Sequence, residues 1–70
     1  MPLKLENPVI WTNPEDSSTR LGRLCRINNQ TGFCCVRFVD IGCRRVLKSR
    51  LTPSDDESAP QCTDSCRDGC

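Results

Sequence analysis

The residues able to do chemistry in this chain are its arginines and its cysteines, and the two sets are distributed differently. Between positions 20 and 50 stand Arg20, Arg23, Arg26, Arg37, Arg44, Arg45, Lys48 and Arg50, against Asp40 as the only acid. Guanidinium forks match phosphate oxygens and bind them in pairs. Arg23, Arg26, Arg37, Arg44, Arg45, Lys48 and Arg50 are therefore the candidates for a face that meets nucleic-acid phosphate or an acidic protein surface. Trp11 or Phe33 beside them would offer a ring on which a base can stack. If about three to five of these cations met phosphates, binding would be modest and steeply salt dependent. The ends of the chain have the opposite sign. Glu6, Glu15 and Asp16 outweigh Lys4, and Asp55, Asp56, Glu57, Asp64 and Asp68 outweigh Arg67. An acidic tail folded over a basic middle would compete with any anionic partner.

Seven cysteines in 70 residues is a high count. In a secreted chain it would mark a disulfide scaffold, but the number is odd and the start, MPLKLENPVIWT, lacks the apolar run of a signal peptide. An intracellular, cytoplasmic location is expected. Cys25, Cys34, Cys35 and Cys43 fall in or beside β-prone runs and are expected to act as small apolar residues. Cys62, Cys66 and Cys70 are spaced i, i+4, i+8, which on a helix is one stripe. Three thiolates suit a soft metal such as zinc, yet a structural zinc site takes four ligands. Asp64, Gly69 and the lack of an apolar face speak against a helix there. A disulfide to the folded part and an intermolecular disulfide compete with a flexible tail bearing oxidisable thiols, which is favoured. No cofactor is expected.

Catalysis is not expected. The chain has no histidine, which removes the commonest general base and the commonest metal ligand. It has no glycine-rich phosphate loop and no GxSxG, HExxH or paired CxxC pattern. No apolar run approaches the length of a membrane helix.

The elements that must position these residues are short strands. Residues 1–8, with two prolines, read as an extended lead. Val9-Ile10-Trp11-Thr12 is β-prone, and Asn13 to Ser18 is a loop in which Asn13-Pro14 could cap one helical turn. Leu21 to Ile27 alternates imperfectly, with Gly22 as the expected bulge or bend. Asn28 to Gly32 is a hairpin loop. In Phe33 to Val39 the alternation is clear: Cys34, Val36 and Phe38 share the core face, because the other face carries Arg37. Asp40-Ile41-Gly42 is a tight turn, Cys43 to Leu47 the returning strand, and Lys48 to Leu51 a short turn that points Leu51 inward. Val36, Phe38, Val46, Leu51, Leu24 and Ile27, with Cys34, form the expected core. Residues 54–70 are polar, acidic and short of apolar side chains, the composition of a disordered tail.

VRFVDIGCRRVLKSRLTP resembles the second half of Tudor-type domains, members of the SH3-like small barrels. The matching residues are Val36, Phe38, Asp40, Gly42, Val46 and Leu51, and Gly22 to Ile27 is similar to the preceding strand. The resemblance spans about residues 9–53 and implies an all-β barrel of four to five antiparallel strands that acts as a binding module rather than an enzyme. Many such domains hold a methylated side chain in an aromatic cage. Here Ile41 stands where that cage has an aromatic, and with Trp11, Phe33 and Phe38 as the only rings a cage is not expected.

Overall fold

The computed structural model describes residues 3–69; Met1, Pro2 and Cys70 lie outside the described part. The chain forms β1 (Pro8–Thr12), β2 (Thr19–Asn28), β3 (Phe33–Phe38), β4 (Gly42–Leu47), a 3-10 turn (Lys48–Arg50), β5 (Leu51–Pro53) and a short helix, α1 (Asp64–Asp68). All strands belong to one sheet of order β4-β3-β2-β1-β5, and each neighbouring pair is antiparallel. The expected class, a small antiparallel all-β fold, is thus what forms. The sheet is open, however, with β4 and β5 as its edges.

Turn chemistry fixes the hairpins. Asn28 Oδ1 accepts from the N–H groups of Gln30 and Thr31, and Gly32 takes a φ of 78° that a side chain would oppose. Gly42 does the same at 74° after the Val39-Asp40-Ile41 turn. The Asn13–Ser18 segment is a turn and not a helix: Asn13 Oδ1 accepts from Glu15 N and Asp16 Oδ1 from Ser18 N. Side chains that bond their own backbone in this way compete with helix.

Two separate clusters hold the chain together. The first is the core of the sheet: Val9, Leu24, Cys34, Val36, Phe38, Val46 and Leu51, with Leu3, Trp11, Ile27 and Ile41 packed at its margin. It contains the expected residues, with Ile27 at the rim. The imperfect alternation of β2 has a local cause. The register with β3 shifts between Leu24 and Arg26, so the bulge lies at Cys25 and not at Gly22. The extra residue lets Leu24 and Ile27 both face the core, while Arg26 lies on the opposite side across from Cys35. Gly22 has a different reason. A Cβ there would stand 2.6 Å from Val36 Cγ1 and 2.8 Å from the Arg37 carbonyl oxygen.

The second cluster lies on the outer face and consists of Cys25, Cys35, Cys62 and Cys66, with Cys43 against it. Disulfides join Cys25 to Cys62 and Cys43 to Cys66. Residues 54–69, expected to be a disordered tail, therefore run back over the sheet, with Ala59, Cys62 and Cys66 buried. Composition misses this because a covalent bond replaces the apolar side chains that a packed segment ordinarily needs. The helix argued against at Cys66 does form, for one short stretch. Thr63 Oγ1 caps it by accepting from Cys66 N, and α1 packs on β2 and β3.

Candidate binding surface on the outer sheet face

Strand pairing decides which arginines share a face. Arg23 stands across from Arg37, Arg26 from Cys35, and Arg45 from Cys35 on the other flank. Arg23, Arg26, Arg37 and Arg45 accordingly lie on the outer face with Phe33, Cys35 and Cys43. Arg44 pairs with Val36, but on an edge strand it is exposed, and its guanidinium donates to the Cys43 carbonyl at 3.0 Å. Lys48 and Arg50 are exposed on the 3-10 turn beyond β4.

The structure separates these candidates by what they already touch. Arg23 is 5% exposed. Its Nε donates to Pro60 O at 3.0 Å, one terminal nitrogen to Glu6 O at 2.7 Å and the other to Ala59 O at 3.1 Å. Glu57 approaches at 3.7 Å. This guanidinium ties the N-terminal lead to the C-terminal segment and has no edge left for a partner. Arg26 donates to the carbonyls of Arg67 and Asp68 at the end of α1, at 3.5 and 3.2 Å. Trp11 is half-buried, its ring 5.9 Å from that of Phe38 and tilted by 55°, so it serves the core margin and offers no stacking platform to the arginines.

Phe33 does meet them. The Arg45 guanidinium lies over its ring, 5.2 Å from the centroid. A cation–π contact of this kind restrains a side chain that otherwise has many rotamers while leaving its N–H groups for an anion. Arg26, Phe33, Cys35 and Arg45 line one groove of about 420 Å³, with Asn28 and Thr31 at the hairpin end and Asp68 and Gly69 on the α1 side. Of the nine proposed contact residues, then, Arg26, Phe33 and Arg45 converge. Lys48 and Arg50 are exposed on the turn beyond β4, Arg44 is exposed on the opposite side of the sheet, Arg37 is half-buried on the same face as the groove, and Arg23 and Trp11 are engaged elsewhere.

Arg20 adds nothing to the surface charge, because it pairs with Asp40 across the mouth of the β3–β4 turn. That hydrogen bond holds the Asp40 carboxyl below the usual carboxylate range. Burial pushes the Cys34 thiol up, which keeps it protonated among apolar neighbours.

The zinc alternative rested on Cys62, Cys66 and Cys70. Cys62 and Cys66 are each in a disulfide, with different partners, so neither is a thiolate in this form; Cys70 lies outside the described residues. Among the described residues no group of three or more potential ligands is placed to hold a metal ion, and no helix is long and apolar enough to cross a membrane.

Sequence reasoning weighed a disulfide from the tail to the folded part without favouring it or naming the pairs, and it missed the structural use of Arg23. One signal was present for the first: Cys25, Cys35 and Cys43 recur on the outward positions of successive strands, where buried apolar residues are out of place unless something covers them. Fold and surface together define a small antiparallel β protein whose C-terminal segment is strapped over one face. Comparison with protein-family models, with curated proteins and with solved structures finds no match for the chain.

Proposed function

We propose that residues 9–53 are an open SH3-like small barrel of the Tudor type, and that the protein is a non-catalytic module whose cationic outer face binds the phosphate backbone of nucleic acid. The barrel reading is supported by the strand order, the long β2 that serves both halves of the sheet, and the 3-10 turn leading into β5. The binding reading is carried by one observation: Arg45 held over Phe33, with Arg26 across the same groove. Exposed Lys48 and Arg50 on the turn beyond β4 add positive charge, and the one acid between positions 20 and 50 is neutralised by Arg20. Phosphates are recognised by such forks, and a nearby ring tolerates any base.

Fluorescence anisotropy with labelled single- and double-stranded oligonucleotides tests this. Affinity should fall with salt at a log–log slope of about three to five, and Arg45→Gln should reduce the slope by about one. Absence of binding at low salt would overturn the proposal. It would favour an acidic protein partner instead, a reading supported by Val39 and Leu47, which are 72% and 42% exposed at the ends of the β4 hairpin. Such apolar side chains have contacts to offer a protein but not a phosphate chain.

A further inference from the structure

The C-terminal segment crosses the face that carries the arginines, and its attachment is chemically unusual. It is fixed at two points, Cys62 to Cys25 on β2 and Cys66 to Cys43 on β4. On either side of those points it engages cations of β2 with its backbone. Ala59 and Pro60 give their carbonyls to Arg23, and Arg67 and Asp68 give theirs to Arg26. Asp68 also stands in the groove with Arg26 and Arg45. The segment is acidic, with Asp55, Asp56, Glu57, Asp64 and Asp68 against Arg67.

Apart from sulfur it is held by polar contacts, the carbonyls given to Arg23 and Arg26 and the Arg67–Glu6 ion pair, with little apolar burial. Its buried residues are Ala59, Cys62 and Cys66. The core of the sheet contains none of them: that cluster is built from β1 to β5 and the lead, whereas the segment takes part only in the cysteine cluster. The two clusters can therefore come apart. Reduction removes the bonds that define the second and leaves the contacts of the first in place.

We propose that the two disulfides make residues 54–69 a reducible cover over the cationic face, so that a dithiol donor uncovers Arg23 and Arg26 and strengthens binding to phosphate chains. The gain in affinity rests on the phosphate-binding reading above; the release of the segment does not. The chemistry is thiol–disulfide exchange. A donor thiolate attacks one sulfur, the Cys–Cys bond breaks, and the departing cysteine leaves as a thiolate that takes a proton. The donor's second thiol then displaces the mixed disulfide. Each protein disulfide gains two electrons and two protons, and each donor dithiol leaves as its own disulfide. Cys25, Cys62 and Cys66 are buried and Cys43 is not, so attack enters at Cys43 and the Cys43–Cys66 bond opens first. Disulfides persist in oxidising compartments and are reduced where glutathione and thioredoxin systems act. The covered form belongs to the first setting and the uncovered form to the second.

The test uses the full chain, oxidised and then reduced with dithiothreitol, with opening of the bonds verified by an intact-mass gain of about 2 Da each. Amide hydrogen exchange is followed by mass spectrometry, and anisotropy is read with a labelled single-stranded oligonucleotide. On reduction, exchange over residues 57–68 should accelerate at least about tenfold while β2 and β3 stay protected, and affinity should rise at least about fivefold. The Cys62→Ser, Cys66→Ser double variant should behave as the uncovered form with or without reductant. Unchanged exchange over 57–68 after both bonds open would overturn the proposal. So would loss of protection throughout β2 and β3, since the disulfides would then hold the fold and not a cover. Release with equal oligonucleotide affinity in both states would overturn the gating. Release with no oligonucleotide binding in either state would support the cover and remove the phosphate reading of the face beneath it.

Discussion

Arg23 and Arg37 stand directly across from each other in the sheet, and like charges so placed repel. The chain separates them by environment. Arg37 remains half-exposed, while Arg23 is buried beneath two chain segments and given three carbonyl oxygens. A buried guanidinium is tolerated because its planar fork is satisfied on several edges at once. Removing it strands the carbonyls of Glu6, Ala59 and Pro60. Arg23→Gln should therefore lower stability by about 3 kcal/mol, measured by urea unfolding followed through Trp11 fluorescence. Arg23→Lys should recover little of the loss, because an ammonium has one centre and cannot reach carbonyls spread around a fork. Full recovery by lysine would mean that charge alone matters at this position. From the sequence, Arg23 is indistinguishable from Arg26 or Arg45. What separates them is the return of the C-terminal segment, a long-range event that no local spacing encodes.

At the scale of elements, β3 was legible and β2 only partly so. Cys34, Val36 and Phe38 alternate cleanly with Phe33, Cys35 and Arg37, and β4 pairs with it in unbroken register. In β2 the period breaks between Leu24 and Ile27, and a glycine nearby invites the wrong explanation. The bulge belongs to Cys25, whose displacement aligns its sulfur with the outer cluster. Gly22 is needed because β3 passes too close for a side chain: besides Val36 Cγ1 and the Arg37 carbonyl, Phe38 Cδ1 would lie 2.9 Å from a Cβ. Side chains can turn away, but the carbonyl is part of the ladder and cannot. Gly22→Ala should consequently destabilise the fold by about 2 to 3 kcal/mol through overpacking, despite alanine's lower conformational freedom in the unfolded chain. A calorimetric midpoint equal to that of the unaltered protein would show that β2 and β3 can separate to admit a methyl group. The hairpin glycines are different in kind: Gly32 and Gly42 have open space around the missing Cβ and are required by their positive φ.

At the scale of the whole molecule, the open sheet and the strap set an order of local stabilities. The spacing of Cys62 and Cys66 suggested one stripe serving one site. Their partners instead sit on β2 and β4, which are separated by β3 and so stand about 9 to 10 Å apart. Cys62 precedes α1 and Cys66 lies within it, and the coil between them lets the two sulfurs reach different strands. With the strap in place the radius of gyration is 10.7 Å, close to the roughly 11 Å of a fully compact chain of this length. In the oxidised protein β2 and β3 are each paired on both sides, their core side chains Leu24 and Val36 have no exposed surface, and α1 packs on both. β4 and β5 are edges, with β5 only three residues long. Amide exchange should therefore be slowest at the ladder of β2 and β3, where it requires global unfolding, and faster by roughly 100-fold at the outer amides of β4 and β5, where local opening suffices. The Lys48 amide, bonded to Gly32 O at 2.9 Å, should fall between the two groups, because its release needs only the end of the β3–β4 hairpin to part. Equal protection of β4 and β2 would mean that the edge is covered after all, by closure of the sheet on itself or by a second chain, and sedimentation at two concentrations would tell these apart.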